Sequence, residues 1–250
     1  MIVLVTGATS GIGKAIAEIF AANKYNVIIT GRRKERLDVL AAELTEKYSV
    51  KVLPLCFDVR DKQAVEQELN AIPADWKKIN ILVNNAGLAV GLGSIQEGVV
   101  DDWERMIDTN IKGLLYVSRT IAPLMISNGV GHIINIGSVA GKETYANGNV
   151  YCATKHAVDS LSKAMRIDMV QHGIKVTAIN PGMVETEFSL VRFKGDEERA
   201  KKVYQGITPL SPNDIAETVY WTASRPAHVT INDIVIMPTA QASATVSVRK

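Results

Sequence analysis

Seven short runs rich in Val and Ile recur along this 250-residue chain, at Ile2-Val5, Val27-Ile29, Val52-Phe57, Ile79-Val83, His132-Ile136, Ile174-Ile179 and Asp233-Met237. Helix-length segments separate most of them. Strands covered on both faces read as such uninterrupted apolar runs, and alternation with helices lays successive strands in parallel. The segment after the second run carries Leu37, Leu40, Ala41 and Leu44 in an i, i+3, i+4, i+7 stripe, with Arg36, Glu43 and Lys47 off it, as a helix with one face on a sheet requires. Ile12, Ile16, Ile19 and Phe20 mark a similar stripe. Long helices are predicted from Asp101 through Met125 and from Val150 to Gln171. Right-handed crossovers on this pattern give an α/β doubly wound sheet whose ligand crevice lies at the carboxyl ends of its strands.

No Pro/Ser-rich linker, charge block or repeat divides the chain, so residues 1–250 are read as one domain. At 47% hydrophobic the sequence can bury a large core, yet no apolar run approaches the ~18 residues of a membrane span. Met1 leads almost at once into the first strand, leaving no room for a cleaved leader, so a cytoplasmic location is expected. A net charge of +2 gives no reason to expect nucleic acid, and the expected partner is a small molecule. Cys56 and Cys152 have neither disulfide-framework nor metal-ligand spacing, and both are expected as small buried apolar residues. His132, His156, His172 and His228 also lack ligand spacing, and no catalytic metal is predicted.

Directly after the first strand comes Thr6-Gly7-Ala8-Thr9-Ser10-Gly11-Ile12-Gly13. Its Gly-x-x-x-Gly-x-Gly spacing differs from the common Gly-x-Gly-x-x-Gly fingerprint, but the same physics applies. Gly7 permits a sharp exit from the strand, and Gly11 and Gly13 let backbone approach a pyrophosphate. The helix starting near Ile12 aims free N–H groups at that anion. Thr9 and Ser10 among the glycines separate this from a bland turn. At the end of the second strand, Arg32 and Arg33 stand where an enzyme that uses NAD places a carboxylate for the ribose 2'-hydroxyl. Charge-assisted hydrogen bonds from a guanidinium to a 2'-phosphate contribute roughly 1.5 to 3 kcal/mol each, so the expected cofactor is NADP. The competing reading makes these arginines the solvated start of a charged helix. Asp58 and Val59 follow the third strand, placed either to reach an adenine edge or, for Asp58, to cap the next helix. Asn84-Asn85-Ala86-Gly87 follows the fourth, where Asn can brace backbone near the cofactor and Ala-Gly allows close approach; the alternative is a plain turn.

Tyr151 and Lys155 share one helix face at i and i+4, thirteen residues beyond Ser138 at a strand end. A cation beside a phenol favours phenolate and is expected to lower the Tyr151 pKa. Tyr151 would exchange a proton with a substrate hydroxyl or carbonyl oxygen to which Ser138 also hydrogen-bonds, a positioned transfer typically worth ~100- to 10,000-fold in rate. A lone Tyr-x-x-x-Lys is usually structural. With the glycine turn upstream, it implies a nicotinamide-dependent oxidoreductase.

These motifs resemble those of the short-chain dehydrogenases/reductases over nearly the whole length. Thr-Gly-x-x-x-Gly-x-Gly at 6–13, Asn-Asn-Ala-Gly at 84–87, Ser138, Tyr151, Lys155, and Pro181-Gly182 with Thr186 match in order and spacing. The resemblance implies a Rossmann-type fold with a seven-stranded parallel sheet and a homotetramer built through long helices. It also implies that Lys155 holds the nicotinamide ribose and that Ile136, Val184 and Thr186 border the nicotinamide. Asn110, which by residue type alone is a poor helix former tolerated within a helix, would hold a water linking Lys155 to solvent. Gly-Arg-Arg-x-Glu-Arg-Leu, Met-Ile-Asp-Thr-Asn, Gly-His-Ile-Ile-Asn-Ile-Gly-Ser, Gly-Asn-Val-Tyr and Val-Arg-Phe-Lys-Gly-Asp resemble the branch of NADP-dependent 3-hydroxy acid dehydrogenases. That branch includes serine 3-dehydrogenases and L-allo-threonine dehydrogenases, and its substrates extend to 3-hydroxypropionate and malonic semialdehyde. Residues 186–210 are then expected as a mobile substrate lid, in which Arg192 grips a carboxylate or belongs to a solvated basic loop with Lys194. Lys142-Glu143-Thr144 and Leu92-Gly93-Ser94 depart from the branch and are placed to border the pocket. The tail 239–250 is expected either to wrap a neighbouring subunit or to be disordered. Two other functions fit the same motifs: an NADPH-dependent reductase of ketones or 3-ketoacyl thioesters, which needs a more apolar lid, and a non-catalytic NADP-binding sensor, which needs no proton-transfer phenol.

Overall fold

Every residue of Ile2–Val5 (β1) is buried, which a strand in the middle of a sheet covered on both faces demands. The computed structural model describes all 250 residues and places β1 third in a seven-stranded sheet of order β3-β2-β1-β4-β5-β6-β7, every neighbouring pair parallel. The other strands are Asn26–Gly31 (β2), Val52–Cys56 (β3), Ile79–Asn84 (β4), His132–Ile136 (β5), Lys175–Pro181 (β6) and Asp233–Ile236 (β7). Each of the seven apolar runs is a strand, with ends shifted by a few residues. Cys152 is buried as expected, but Cys56 is exposed, because it ends β3 at the edge of the sheet.

Successive side chains along β1 enter opposite layers. Val3 and Val5 pack with Gly11–Ala22 (α1), Lys34–Tyr48 (α2) and Pro212–Ala223 (α9), whereas Ile2 and Leu4 pack with Lys62–Asn70 (α3) and Leu114–Asn128 (α5). Leu37, Leu40 and Leu44 of α2 are buried as the stripe requires. Ser211 starts α9 with a reciprocal capping box to Asp214 and Pro212 in the first turn. Asn149–Met169 (α6) carries Tyr151 and Lys155.

The helix expected from Asp101 is not uniform. Val100–Ile107 (α4) passes through a π-helical turn at Asp108–Gly113 before α5 begins. Gly113 there lies against Val59, where any Cβ would crowd the valine methyl at 2.8 Å. Two short helices, Glu187–Arg192 (α7) and Glu197–Lys202 (α8), occupy the segment after β6. No helix is long and apolar enough to cross a membrane.

The strand order reverses between β1 and β4, and the loops at the carboxyl ends of these two strands part to leave the crevice.

Candidate active site

One cleft of about 530 Å³ runs along the carboxyl ends of the strands, from Arg32 and Arg33 after β2 to Arg192 at the end of α7. At its floor the glycine turn is held from both sides. Gly7 and Gly11 take left-handed conformations, φ +67° and +52°, which L side chains avoid. Gly13 has a second steric reason beyond approach to a ligand: a Cβ there would collide with the Gly7 carbonyl and the Asn85 amide. Asn85 braces the turn, its Nδ2 donating to the carbonyls of Thr6 and Gly7 at 2.9 and 3.2 Å. Asn84 turns away from the cleft and donates to Ser118 and Asn135 in the layer behind. The first turn of α1 has neither a side-chain cap nor an acidic residue, so its N–H groups are free to meet an anion.

The two arginines diverge. Arg33 folds over the turn, Nη2 donating to Thr9 Oγ1 at 2.7 Å and to Ser10 Oγ at 2.9 Å, while its Nη1 reaches Glu187 at 3.1 Å. Arg32 is more exposed and stands 3.7 Å from Asp58. Asp58 does not cap the next helix; Asp61 does, accepting from Gln63 and Ala64. Burial pushes the Asp58 carboxyl up, but hydrogen bonds from Arg60, with the Arg32 charge beside them, more than offset this and hold it below the usual carboxylate range.

At the other end, Ser138 stands in extended backbone just after β5, its Oγ accepting from the Ala140 amide at 3.1 Å. Tyr151 is buried with its ring 5.7 Å from that of Phe188. Its pKa is raised rather than lowered as the sequence suggested, because burial outweighs the opposing effects of the Ser138 hydroxyl and the Arg192 charge. Lys155 does not supply the expected lowering. Its ammonium lies 6.0 Å from the Tyr151 ring centroid, donates to the Ile136 carbonyl at 3.0 Å, and is itself lowered to about 8 by burial. Asn110 sits behind the wall in the π turn. Its Oδ1 accepts from the Leu88 amide at 2.8 Å and its Nδ2 donates to the Leu88 carbonyl at 2.8 Å and to Thr154 at 3.0 Å. Gly87 separates it from Lys155, with space for a Cβ 3.3 Å from Asn110 Oδ1 and 3.5 Å from Lys155 Nζ.

A glycine turn under an arginine stands at one end of the cleft, and a Ser, Tyr and Lys triplet at the other. The family model described as short chain dehydrogenase matches residues 1–196. The chain is a short chain dehydrogenase. Membership makes it an oxidoreductase acting on CH–OH groups. The dehydrogenase is 51% identical over 251 residues to the NADP-dependent 3-hydroxy acid dehydrogenase YdfG of Salmonella typhi, covering all of both chains. It is 44% identical over 242 residues to the serine 3-dehydrogenase of Agrobacterium fabrum, covering 97% of this chain and 95% of that one. A solved structure described as the closed form of serine dehydrogenase complexed with NADP+ superposes with a TM-score of 0.93 at 48% identity, over 100% of both chains.

Gly7, Thr9, Ser10, Gly11, Ile12, Gly13, Arg32, Arg33, Asp58, Val59, Asn85, Ala86, Gly87, Ile136, Ser138, Tyr151, Lys155, Pro181, Gly182, Val184, Thr186 and Arg192 all line this cleft, whereas Asn110 and Asn84 do not. Lys142 and Glu143 also lie elsewhere: Lys142 pairs with Asp159 and Asp233, and Glu143 accepts from the Ala244 amide at 3.0 Å. Leu92 and Gly93 line a smaller neighbouring hollow. The tail is neither disordered nor detached from its own chain. Gln241 is buried and accepts from the Met183 amide at 2.8 Å, and Arg249 donates to the carbonyls of Val203 and Gln205.

Tyr145 escaped the sequence reading. Its hydroxyl accepts from Arg192 Nη2 at 2.6 Å, and the guanidinium lies 5.4 and 5.3 Å from the ring centroids of Tyr145 and Tyr151. Arg192 Nε is buried without a hydrogen-bond partner. The solvated-loop reading of Arg192 therefore fails, whereas Lys194 is more than half exposed and pairs with Asp102 at 2.7 Å.

Proposed function

We propose that this dehydrogenase transfers a hydride between NADP and the 3-hydroxyl of a short 3-hydroxy acid, of the class of serine, L-allo-threonine and 3-hydroxypropionate with malonic semialdehyde. One observation carries the substrate class: a guanidinium that lines the cleft with Ser138 and Tyr151 and lies within 5.4 Å of the ring centroids of both Tyr145 and Tyr151. A permanent cation lining the cleft favours an anion beside it, and a carboxylate on the substrate supplies that anion.

The residues present fit the cofactor. The uncapped, acid-free start of α1 receives the pyrophosphate, Arg33 with Thr9 and Ser10 receives the 2'-phosphate, and Asp58 and Val59 border the adenine. Ala86, Gly87, Pro181, Gly182, Val184 and Thr186 line the part of the cleft nearer Tyr151, where Lys155 holds the ribose hydroxyls. When bound, the nicotinamide supplies the hydride acceptor or donor. Tyr151 exchanges the proton with the substrate oxygen, and Ser138 donates a hydrogen bond to that oxygen. Its high pKa keeps Tyr151 protonated at neutral pH, ready to donate in reduction, and demands its deprotonation in oxidation. Asn110 holds the water path from Lys155 past Gly87, residues 186–210 close over the cleft as the lid, and the chain works as a cytoplasmic homotetramer.

Purified protein mixed with NADP and serine, L-allo-threonine or 3-hydroxypropionate should generate reduced-nicotinamide absorbance, more strongly than with NAD. Silence with all three alongside rapid reduction of acetoacetyl thioesters would reassign it as a ketoacyl reductase. Tight NADP binding with no turnover of any of these would leave a sensor. Light scattering tests the tetramer.

A further inference from the structure

Arg192 ends a helix of only six residues, too short to hold itself in place by its own hydrogen bonds. Something outside α7 must aim its guanidinium. Two contacts do so, one to the loop after β4 and one to α4. The Arg192 carbonyl accepts from the Gly91 amide at 2.9 Å. Two residues on, Lys194 Nζ meets Asp102 Oδ2 at 2.7 Å. Asp102 lies in the first turn of α4 with its side chain only 9% exposed, and Arg105 Nη1 approaches its other oxygen at 3.9 Å.

The backbone is bent to make this meeting possible. Lys194 and Gly195 both take positive φ, +55° and +94°, so the chain reverses directly after Arg192 and sends the lysine back toward α4. A non-glycine residue in that region is strained and persists only where its surroundings hold it. Gly91 also takes positive φ, and a Cβ there would stand 3.3 Å from Asp102 Oδ2, so the loop approaches the carboxylate closely. A buried carboxylate, a strained lysine and a bare glycine thus converge on one point of the lid.

We propose that Asp102 is a positioning residue for recognition of the substrate carboxylate: through Lys194 it fixes the end of α7 so that Arg192 points between Tyr145 and Tyr151. This rests on the reading of Arg192 as the carboxylate anchor. Breaking the ion pair frees the lid end, and misplacing a charged anchor by about 1 Å from a distance can cost up to ~100-fold.

The test compares 3-hydroxypropionate with 1,3-propanediol, which keeps the reacting hydroxyl and lacks the carboxylate. Asp102→Asn and Lys194→Met should each raise KM for the acid about tenfold while kcat changes less than about threefold, and kcat/KM for the diol and the Kd for NADP should stay within about twofold. The double variant should be no worse than either single one, since both remove the same contact. Asp102→Glu should restore part of the lost acid preference. Equal losses on acid and diol, or no loss on either, would overturn the proposal. Lys194→Met keeps the test open should Asp102→Asn fail to fold, because Lys194 is mostly exposed. Arg192→Ala separates the two levels. If it leaves the preference for acid over diol intact, the anchor reading itself falls; if it erases the preference and Lys194→Met does not lessen it, only the role of Asp102 falls.

Discussion

With its ring packed against Phe188 and Arg192, Tyr151 titrates above its usual range, and at neutral pH it carries its proton. With Tyr151 as the proposed acid and base, alcohol oxidation needs the phenolate and carbonyl reduction needs the phenol. The oxidation rate should therefore climb from pH 7 to pH 10 while the reduction rate stays level, and Tyr151→Phe should lose ~100- to 10,000-fold in kcat in both directions. Pre-steady-state absorbance traces across that pH range check both. Lys155 shows the other side of burial. Its pKa falls to about 8, so below pH 8 the folded protein holds a buried ammonium that the unfolded chain would keep in water. That cost is full below pH 8 and fades as pH rises toward 10.5, where the unfolded lysine also loses its proton. Lys155→Met should thus abolish turnover yet raise the melting temperature at pH 7 by ~5 °C, with the gain vanishing near pH 10.5. A melting temperature lowered at pH 7 would show that the bond to the Ile136 carbonyl outweighs the desolvation.

Just after β2, two adjacent arginines take different partners: Arg32 stands beside Asp58, and Arg33 folds over the glycine turn. Arg33 donates to Thr9 and Ser10, and the proposed function gives it the 2'-phosphate. Arg33→Ala should weaken NADP binding by ~10- to 100-fold and leave NAD within about twofold, as read by titration calorimetry. The sequence named the pair without telling the two apart, since their divergence depends on Asp58 and the turn. Strands and helix stripes were legible because cover on both faces of a sheet makes its strands uninterrupted apolar runs, and burial of one helix face imposes a period of 3.6. The π turn at Asp108–Gly113 was not: no residue type marks an i→i+5 turn, and the segment is too short to show a period of its own. Tyr145 was missed for a related reason. It reaches the cleft from the irregular stretch between β5 and α6, where no repeat says which way a side chain faces.

Across the whole molecule, acid stability should trace to His132, buried in β5 against Thr177. Burial, with the Lys175 charge, lowers its pKa to about 3, against an ordinary value near 6.5. Above pH 6.5 neither folded nor unfolded His132 binds a proton, and its contribution is intact. As pH falls below 6.5 the unfolded chain takes up the proton first, and stability is lost progressively down to pH 3. Between pH 7.5 and pH 5 the melting temperature should drop ~5 °C more in the native protein than in His132→Asn, measured by scanning calorimetry. Contacts this long in sequence were the hardest to foresee. The tail's return to Met183 and the meeting of Lys194 with Asp102 join residues 58 and 92 positions apart, and no local pattern announces such a partner.

Walls of the cleft come from Gly7 at one extreme and Ala244 at the other. A nascent or clipped polypeptide therefore owns only fragments of it, and a bound dinucleotide can act as a clasp on the entire thread, discouraging proteases from the ends as much as from the middle.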